Sequence, residues 1–277
     1  MAASDIEAAI SPERVTMRKR TTTVSLAALA TLVLTGCSST TTVHPTPIPR
    51  AESTVQAVDV DHLPELNAPA TCSGYVALTF DDGPTQVTKD LLDILGHYDV
   101  PAAFFNLGLQ DKKMPELVER QIREGHQVGN HTMTHPELLT IPLDEALDDI
   151  DAATVVHRDL VDHSYTLFRP PYGGTNQEIR KGAEERSMTE VLWTVDSKDY
   201  EAASAEQVIE QSQGMTDGGI LLMHDGKPPT VEALPQIIRS YYDQGLCFGQ
   251  VTTVDEELPT DVGITHRARA TQQEVTP

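Results

Sequence analysis

The sequence predicts an α/β domain whose mostly parallel strands close, or nearly close, into a (β/α) barrel. Two observations carry this expectation. From Cys72 onward, β-prone and helical segments alternate about seven times, the order that gives parallel strands joined by crossover helices. That many units fall within roughly 185 residues, a density that favours a barrel over the second choice, a doubly wound open sheet. In both architectures reactive groups belong at the C-terminal ends of strands.

The elements follow in order. Tyr75-Val76-Ala77-Leu78-Thr79-Phe80 is a short β-prone run. Between Val87 and Tyr98, the residues Leu91, Leu92, Ile94 and Leu95 recur at helical spacing. Ala102-Ala103-Phe104-Phe105 reads as the next strand, 114–124 as a helix and Gln127-Val128-Gly129-Asn130 as a short strand. The longest helix is expected over 143–161, with Leu147, Ile150 and Val155 among its apolar positions. Further strands are predicted over 166–168, 190–195, 219–223 and 247–252, with helices over 177–185, 205–211 and 231–242 between them. The last stretch, 259–277, reads as a polar tail without order.

Composition narrows the partners. A hydrophobic content of 39% is enough for a core. Lys and Arg total 20 against 42 Asp and Glu, a formal charge of -22. Binding nucleic acid requires a basic surface to displace counterions, so that class is excluded. Docking on anionic lipid through protein charge is disfavoured for the same reason. A monomer is expected.

The amino terminus reads as an address. Met17-Arg18-Lys19-Arg20 is a basic cluster, and the apolar run from Val24 to Leu34 is too short for a bilayer span but suits a signal-peptide core. Leu34-Thr35-Gly36-Cys37 resembles the bacterial lipoprotein cleavage box, in which the cysteine is lipidated and becomes the mature N-terminus. The resemblance implies an extracytoplasmic protein anchored to the cell membrane through Cys37. Residues 1–16 carry Asp5, Glu7 and Glu13 ahead of the basic cluster, which is not how a signal peptide begins, so the expected translation start is Met17. The expected organisation is a leader over 1–36, a Ser/Thr/Pro-rich tether over 37–71, the α/β domain over 72–258 and the tail over 259–277. The tether cannot bury much apolar area and would hold the domain away from the membrane.

With Cys37 used by the anchor, Cys72 and Cys247 remain. Outside the cytoplasm two leftover thiols usually oxidise together, and a bridge here would tie the domain's two ends, worth roughly 2–4 kcal/mol.

Polar clusters follow the strands. Asp81-Asp82-Gly83-Pro84 ends the first; adjacent carboxylates on extended backbone point apart, so one can bind a metal while the other acts as a base. Acidic pairs are common in so acidic a chain, and Asp148-Asp149 on a helix reads as a solvated face. His131-Thr132-Met133-Thr134-His135 follows the third strand, a spacing that places both imidazoles on one face if the segment is helical. With one Asp, the pair makes a set suited to Zn²⁺ or a similar divalent ion. Arg169-Pro170-Pro171-Tyr172-Gly173 ends the fourth strand, Asp196-Ser197-Lys198-Asp199-Tyr200 the fifth, and His224-Asp225-Gly226 the sixth.

These five clusters, in this order, resemble the five motifs of the polysaccharide deacetylases, carbohydrate esterase family four, over roughly 72–258. The resemblance implies a distorted (β/α) barrel and one divalent ion held by Asp82, His131 and His135, Zn²⁺ first with Co²⁺, Mn²⁺ or Ni²⁺ also accepted. It implies Asp81 as general base oriented by Arg169, His224 as the acid with Asp199 paired to it, the Tyr172 N–H at the oxyanion, and Leu222 against the acetyl methyl. Tyr200 stands where the family usually has Trp, which bears on substrate fit more than on catalysis. The implied reaction removes N-acetyl groups from amino sugars of a cell-envelope polysaccharide, peptidoglycan first. The alternatives are an O-acetyl esterase on a polysaccharide and an inactive carbohydrate-binding relative; the latter should have lost a ligand, the base or the acid, and none is lost.

Overall fold

The computed structural model describes residues 58–260 and 263–271, with side chains as far as residue 252. The leader, Cys37 and most of the tether lie outside the described residues. In chain order the elements are β1 (Gly74–Asp81), α1 (Thr88–His97), β2 (Ala102–Asn106), α2 (Gly108–Lys113), α3 (Pro115–Arg123), β3 (Gln127–Asn130), α4 (Leu143–Val161), β4 (Leu167–Phe168), α5 (Gln177–Glu185), β5 (Thr189–Glu190), β6 (Val195–Asp196), α6 (Ala205–Gln211), β7 (Ile220–His224), α7 (Pro228–Asp243), β8 (Leu246–Phe248), β9 (Gln250–Thr260) and β10 (Gly263–Thr271).

The main sheet is parallel and runs β5-β4-β3-β2-β1-β7-β6, with β8 paired to the start of β1. Successive side chains of β1 point to opposite faces. Val76, Leu78 and Phe80 pack outward with Leu91, Leu92 and Leu95 of α1 and Leu234, Ile237 and Ile238 of α7. Each such fully buried side chain contributes about 1.5–3 kcal/mol, which is why these helices form against the sheet. Ala77 faces inward with Ala103, Phe105, Leu167, Val191 and Ile220. Thr79 and Asp81 continue the same face towards the C-terminal end of β1. α5 starts at an Asn176 cap, whose side chain accepts from Ile179 N at 2.9 Å.

The run 190–195, expected as one strand, divides between two partners. β5 pairs with β4, Leu167 opposite Thr189, while β6 pairs with β7, Val195 opposite Leu221. Val191 N donates to Phe168 O at 2.8 Å, and Thr194 N donates to Ile220 O at 2.9 Å. One short stretch therefore serves both edges of the sheet and draws it round into a distorted (β/α) barrel. The β-propensity of the run was legible; the change of partner depends on contacts with strands far away in the chain.

Two further expectations change. α2 was not foreseen. The polar tail expected from 259 is instead crossed by an antiparallel hairpin, with Thr271 opposite Gln250 and Gly263 opposite Thr260. The β-branched residues in Gln250-Val251-Thr252-Thr253-Val254 and Ile264-Thr265 favour extended pairing despite the segment's polarity. Cys72 and Cys247 lie at disulfide-bonding distance with Cα atoms 5.5 Å apart, set there by the β1–β8 pairing that opposes Tyr75 and Cys247.

Candidate active site

Register assembles the first half of the site. On neighbouring strands, Asp81 lies opposite His224 and Thr79 opposite Leu222. Asp81 is buried, and its Oδ1 accepts from Arg169 Nη1 at 2.7 Å. Arg169 has no exposed surface; it also donates to Thr79 Oγ1 at 2.8 Å and Val191 O at 3.0 Å, and lies 4.0 Å over the Phe105 ring. Burial draws the guanidinium below its usual range, with Asp81 opposing. One carboxylate oxygen of Asp81 is thus fixed from behind, while the other lies 3.8 Å from His131 Nε2.

The carboxylates of Asp81 and Asp82 do not diverge as extended backbone would require. Asp82 has φ 72°, in the left-handed region, and this turn brings its side chain back towards the same imidazole. Its Oδ1 lies 3.5 Å from His131 Nε2 and 3.2 Å from His135 Nε2. That oxygen is buried and accepts no hydrogen bond among the described residues. His131 Nδ1 is 2.7 Å from the Arg169 carbonyl, which can only accept; the proton sits on Nδ1, and the Nε2 lone pair faces Asp82. The His131 Nε2 lone pair and the Asp82 carboxylate therefore converge with no proton between them, as a cation requires. One ligand atom from each of Asp82, His131 and His135 lies within 4.8 Å of the others. Tetrahedral Zn²⁺ with bonds of about 2.0–2.2 Å separates its ligand atoms by about 3.3 Å, so the 3.2 and 3.5 Å spacings fit. Burial alone would raise the Asp82 carboxyl, but when protonated the imidazoles of His131, His135 and His224 outweigh it and hold the pKa at about 2. Burial pushes the His135 imidazole down from its usual value.

The segment 131–135 is not helical, contrary to the condition attached to its spacing. Thr132 and His135 take left-handed φ values of 70° and 65°. The loop is instead shaped by hydrogen bonds: Thr132 N donates to Asn130 Oδ1 at 2.7 Å, and His135 N to Thr132 Oγ1 at 3.0 Å. Met133 N and Thr134 N both donate to Asp149 Oδ1, at 2.7 and 2.9 Å. Asp149, expected on a solvated face, thus reaches the loop. On the other side the first N–H groups of α2 donate to its carbonyls, Gly108 N to Thr132 O at 3.0 Å and Leu109 N to Met133 O at 3.2 Å. Gly108 allows this approach: a Cβ there would stand 2.6 Å from Met133 Sδ and 2.9 Å from Ala153 Cα.

Opposite this cluster, His224 Nδ1 lies 2.7 Å from Asp199 Oδ1. Asp199 is buried, and its Oδ2 accepts from His224 N at 2.7 Å and Thr230 Oγ1 at 2.6 Å. Burial pulls the His224 imidazole down, but the hydrogen bond and charge of Asp199, then the charges of Asp81 and Asp82, leave its pKa above the usual value. Tyr200 packs edge-on to His224 at 5.3 Å and donates to Asp196 Oδ2 at 2.9 Å; burial first, then that bond, push its hydroxyl up to about 12. Tyr172, 70% exposed with φ 59°, packs against His135 at 4.6 Å. Its N–H makes no hydrogen bond among the described residues.

Asp81, Asp82, His131, His135, Tyr172, Tyr200, Leu222 and His224 all line one cavity of about 360 Å³, together with Trp193, Asp196 and Lys227. Arg169 and Asp199 stand behind it. Trp193 and Lys227 were given no role from the sequence, nor was Asp225. Asp225 ties two motifs together: it accepts from Thr85 and Thr88 hydroxyls at 2.7 and 2.6 Å, and its N donates to Asp81 O at 2.8 Å. Gly83 makes room for it, since a Cβ there would lie 2.5 Å from Asp225 Oδ2. The signal for Asp225 was its place next to His224; Asp149 offered none.

Comparison with known proteins agrees with this geometry. Residues 68–191 match the family model described as Polysaccharide deacetylase. A chitooligosaccharide deacetylase of Sinorhizobium fredii is 32% identical over 202 residues, covering 67% of this chain and 94% of that protein. Peptidoglycan-N-acetylmuramic acid deacetylase PdaC of Bacillus subtilis is 35% identical over 183 residues, 65% of this chain; the match spans only 38% of that longer relative. The family 4 carbohydrate esterase from Streptomyces lividans, solved in complex with acetate, has a TM-score of 0.65 at 33% identity and covers 74% of this chain and 100% of that one. The chain belongs to the polysaccharide deacetylases, carbohydrate esterase family 4.

Proposed function

We propose that this chain hydrolyses the N-acetyl group of amino sugars in a cell-envelope polysaccharide, peptidoglycan foremost, releasing acetate and a free amine. The observation that carries the proposal is the orphaned Asp82 Oδ1 meeting the His131 and His135 nitrogens, with Asp81 and His224 facing one cavity beside it. A divalent ion held by Asp82, His131 and His135, Zn²⁺ first with Co²⁺, Mn²⁺ or Ni²⁺ fitting the same donors, supplies Lewis-acid polarisation and acidifies water. Asp81, held by Arg169, takes the proton of the attacking water. The free N–H of Tyr172 donates to the oxyanion that develops on the acetyl carbonyl. His224, whose pKa Asp199 raises against burial, gives a proton to the leaving nitrogen, so one proton enters the protein and one leaves it. Leu222 takes the acetyl methyl, and the Tyr172 and Tyr200 rings flank the sugar.

The purified chain is expected to release acetate from N-acetylglucosamine oligomers and from peptidoglycan, to stop on chelation and to resume when Zn²⁺ is restored. Acetate from acetyl-xylan alone would replace the amide reading with the ester one, and no acetate from any of the three would remove both.

The same reading places the protein outside the cytoplasm, with Cys37 lipidated and Cys72 bonded to Cys247. Among the described residues no helix is long and apolar enough to cross a membrane. The intact mass of the mature chain extracted from membranes should correspond to a lipid-modified N-terminus at Cys37 and to one disulfide. A chain unmodified at Cys37 with three titratable thiols would contradict both assignments.

A further inference from the structure

We propose that Asp149 is a positioning residue for the cation site, a clamp on α4 that sets how tightly the loop from His131 to His135 grips a divalent ion. The inference rests on the metal-site reading above and deepens it. The loop has no regular structure to hold it, and two of its five residues have the left-handed φ that residues other than glycine disfavour. Such a conformation persists only where its surroundings determine it. Asp149 supplies much of that determination. Its Oδ1 accepts from Met133 N at 2.7 Å and Thr134 N at 2.9 Å, and its Oδ2 accepts from Thr134 Oγ1 at 2.8 Å. These donors occupy the positions between the two imidazoles, so the carboxylate fixes the span that sets their separation.

The clamp stands on a rigid base. Ala146, Ile150 and Ala153, on the same stretch of α4, are fully buried. Asn130 Nδ2 donates to Ile150 O at 2.9 Å and Thr154 Oγ1 at 3.0 Å, tying the end of β3 to this part of the helix. Asp149 forms no ion pair among the described residues, whereas its neighbour Asp151 pairs with Arg186 at 2.6 Å. Its acceptors are directed to the loop rather than to surface cations. Groups that orient metal ligands from behind typically change metal affinity by about 10–100-fold when removed.

The test is Zn²⁺ affinity of the folded, metal-stripped chain, measured by competition with a chromophoric chelator and with folding checked by circular dichroism. Asp149→Ala should weaken binding by about 10–100-fold. Asp149→Asn keeps an oxygen for both N–H groups and should stay close to wild type. A residue that merely stabilised the fold would lower the melting temperature of the alanine variant and leave its affinity unchanged; that result overturns the clamp. Should Asp149→Ala fail to fold, Thr134→Val removes only the bond to Asp149 Oδ2 and should weaken binding in the same direction, while an unchanged affinity again overturns the proposal. A wild-type chain that takes up no Zn²⁺ overturns the metal-site reading itself, and the clamp with it.

Discussion

Asp81→Asn is expected to lower kcat for acetate release by roughly 10²–10⁴-fold, with Zn²⁺ affinity close to that of the wild type. The asparagine keeps the shape of the side chain and an oxygen for Arg169, but it cannot take a proton from water. Asp82→Asn should behave differently, losing the ion and the activity together, because Asp82 Oδ1 is the atom that meets both imidazole nitrogens. Paired measurements of kcat and Zn²⁺ affinity on the two variants separate a base from a ligand. A wild-type kcat in Asp81→Asn would place the base elsewhere.

The same substitution also weakens the fold. Arg169 has no exposed surface, and Asp81 is its ion-pair partner at 2.7 Å. Breaking a buried pair by removing one partner typically costs about 3–5 kcal/mol, since it leaves a charge buried without its counter-charge. Thr79, Val191 and the Phe105 ring continue to hold the guanidinium in either variant. Asp81→Ala should therefore approach the upper end of that range in urea unfolding, with Asp81→Asn below it. Activity has to be read at a temperature where the variants remain folded, so that lost chemistry is not confused with lost protein.

Much of this was legible in the sequence. The three helices α4, α5 and α6 follow their predicted bounds, because apolar spacing within a single segment is enough to define them. The motifs fell at strand ends because parallel topology puts reactive groups there. What was not legible depends on distant contacts. Gly108-Leu109-Gln110-Asp111-Lys112-Lys113 lacks an apolar stripe, and α2 earns its place through bonds to the 131–135 loop. Asp148 and Asp149 look alike as letters, yet only the second faces that loop: Asp148 is exposed, and the Asp149 carboxylate accepts three bonds from it. The turn at Asp82 reverses an argument based on extended backbone, since neighbouring side chains diverge only while φ stays negative and extended.

Asp199→Asn is expected to cut kcat by roughly 10²–10⁴-fold and to move the alkaline limb of kcat/KM to lower pH. The sign follows from the geometry. His224 acts as an acid only when protonated, so a raised pKa carries activity to higher pH, and Asp199 is what raises it against burial. With the carboxylate gone, burial remains and the imidazole loses its proton earlier as pH rises. Geometry adds a second effect. The Asp199 oxygen that accepts from His224 N and Thr230 Oγ1 can be replaced by the asparagine oxygen, which leaves its NH₂ facing His224 Nδ1. A donor there favours the neutral tautomer with an unprotonated Nδ1, opposite to the arrangement that Asp199 imposes. The pH profile of kcat/KM for wild type and Asp199→Asn tests this, and an unmoved alkaline limb would separate Asp199 from the acid. The leaving group sharpens the comparison: an amine must be protonated to depart, whereas a phenolate leaves readily without a proton. An activated aryl acetate should therefore lose far less rate in Asp199→Asn than an N-acetyl sugar, and equal losses on both would mean that the pair maintains the site's shape rather than delivering a proton.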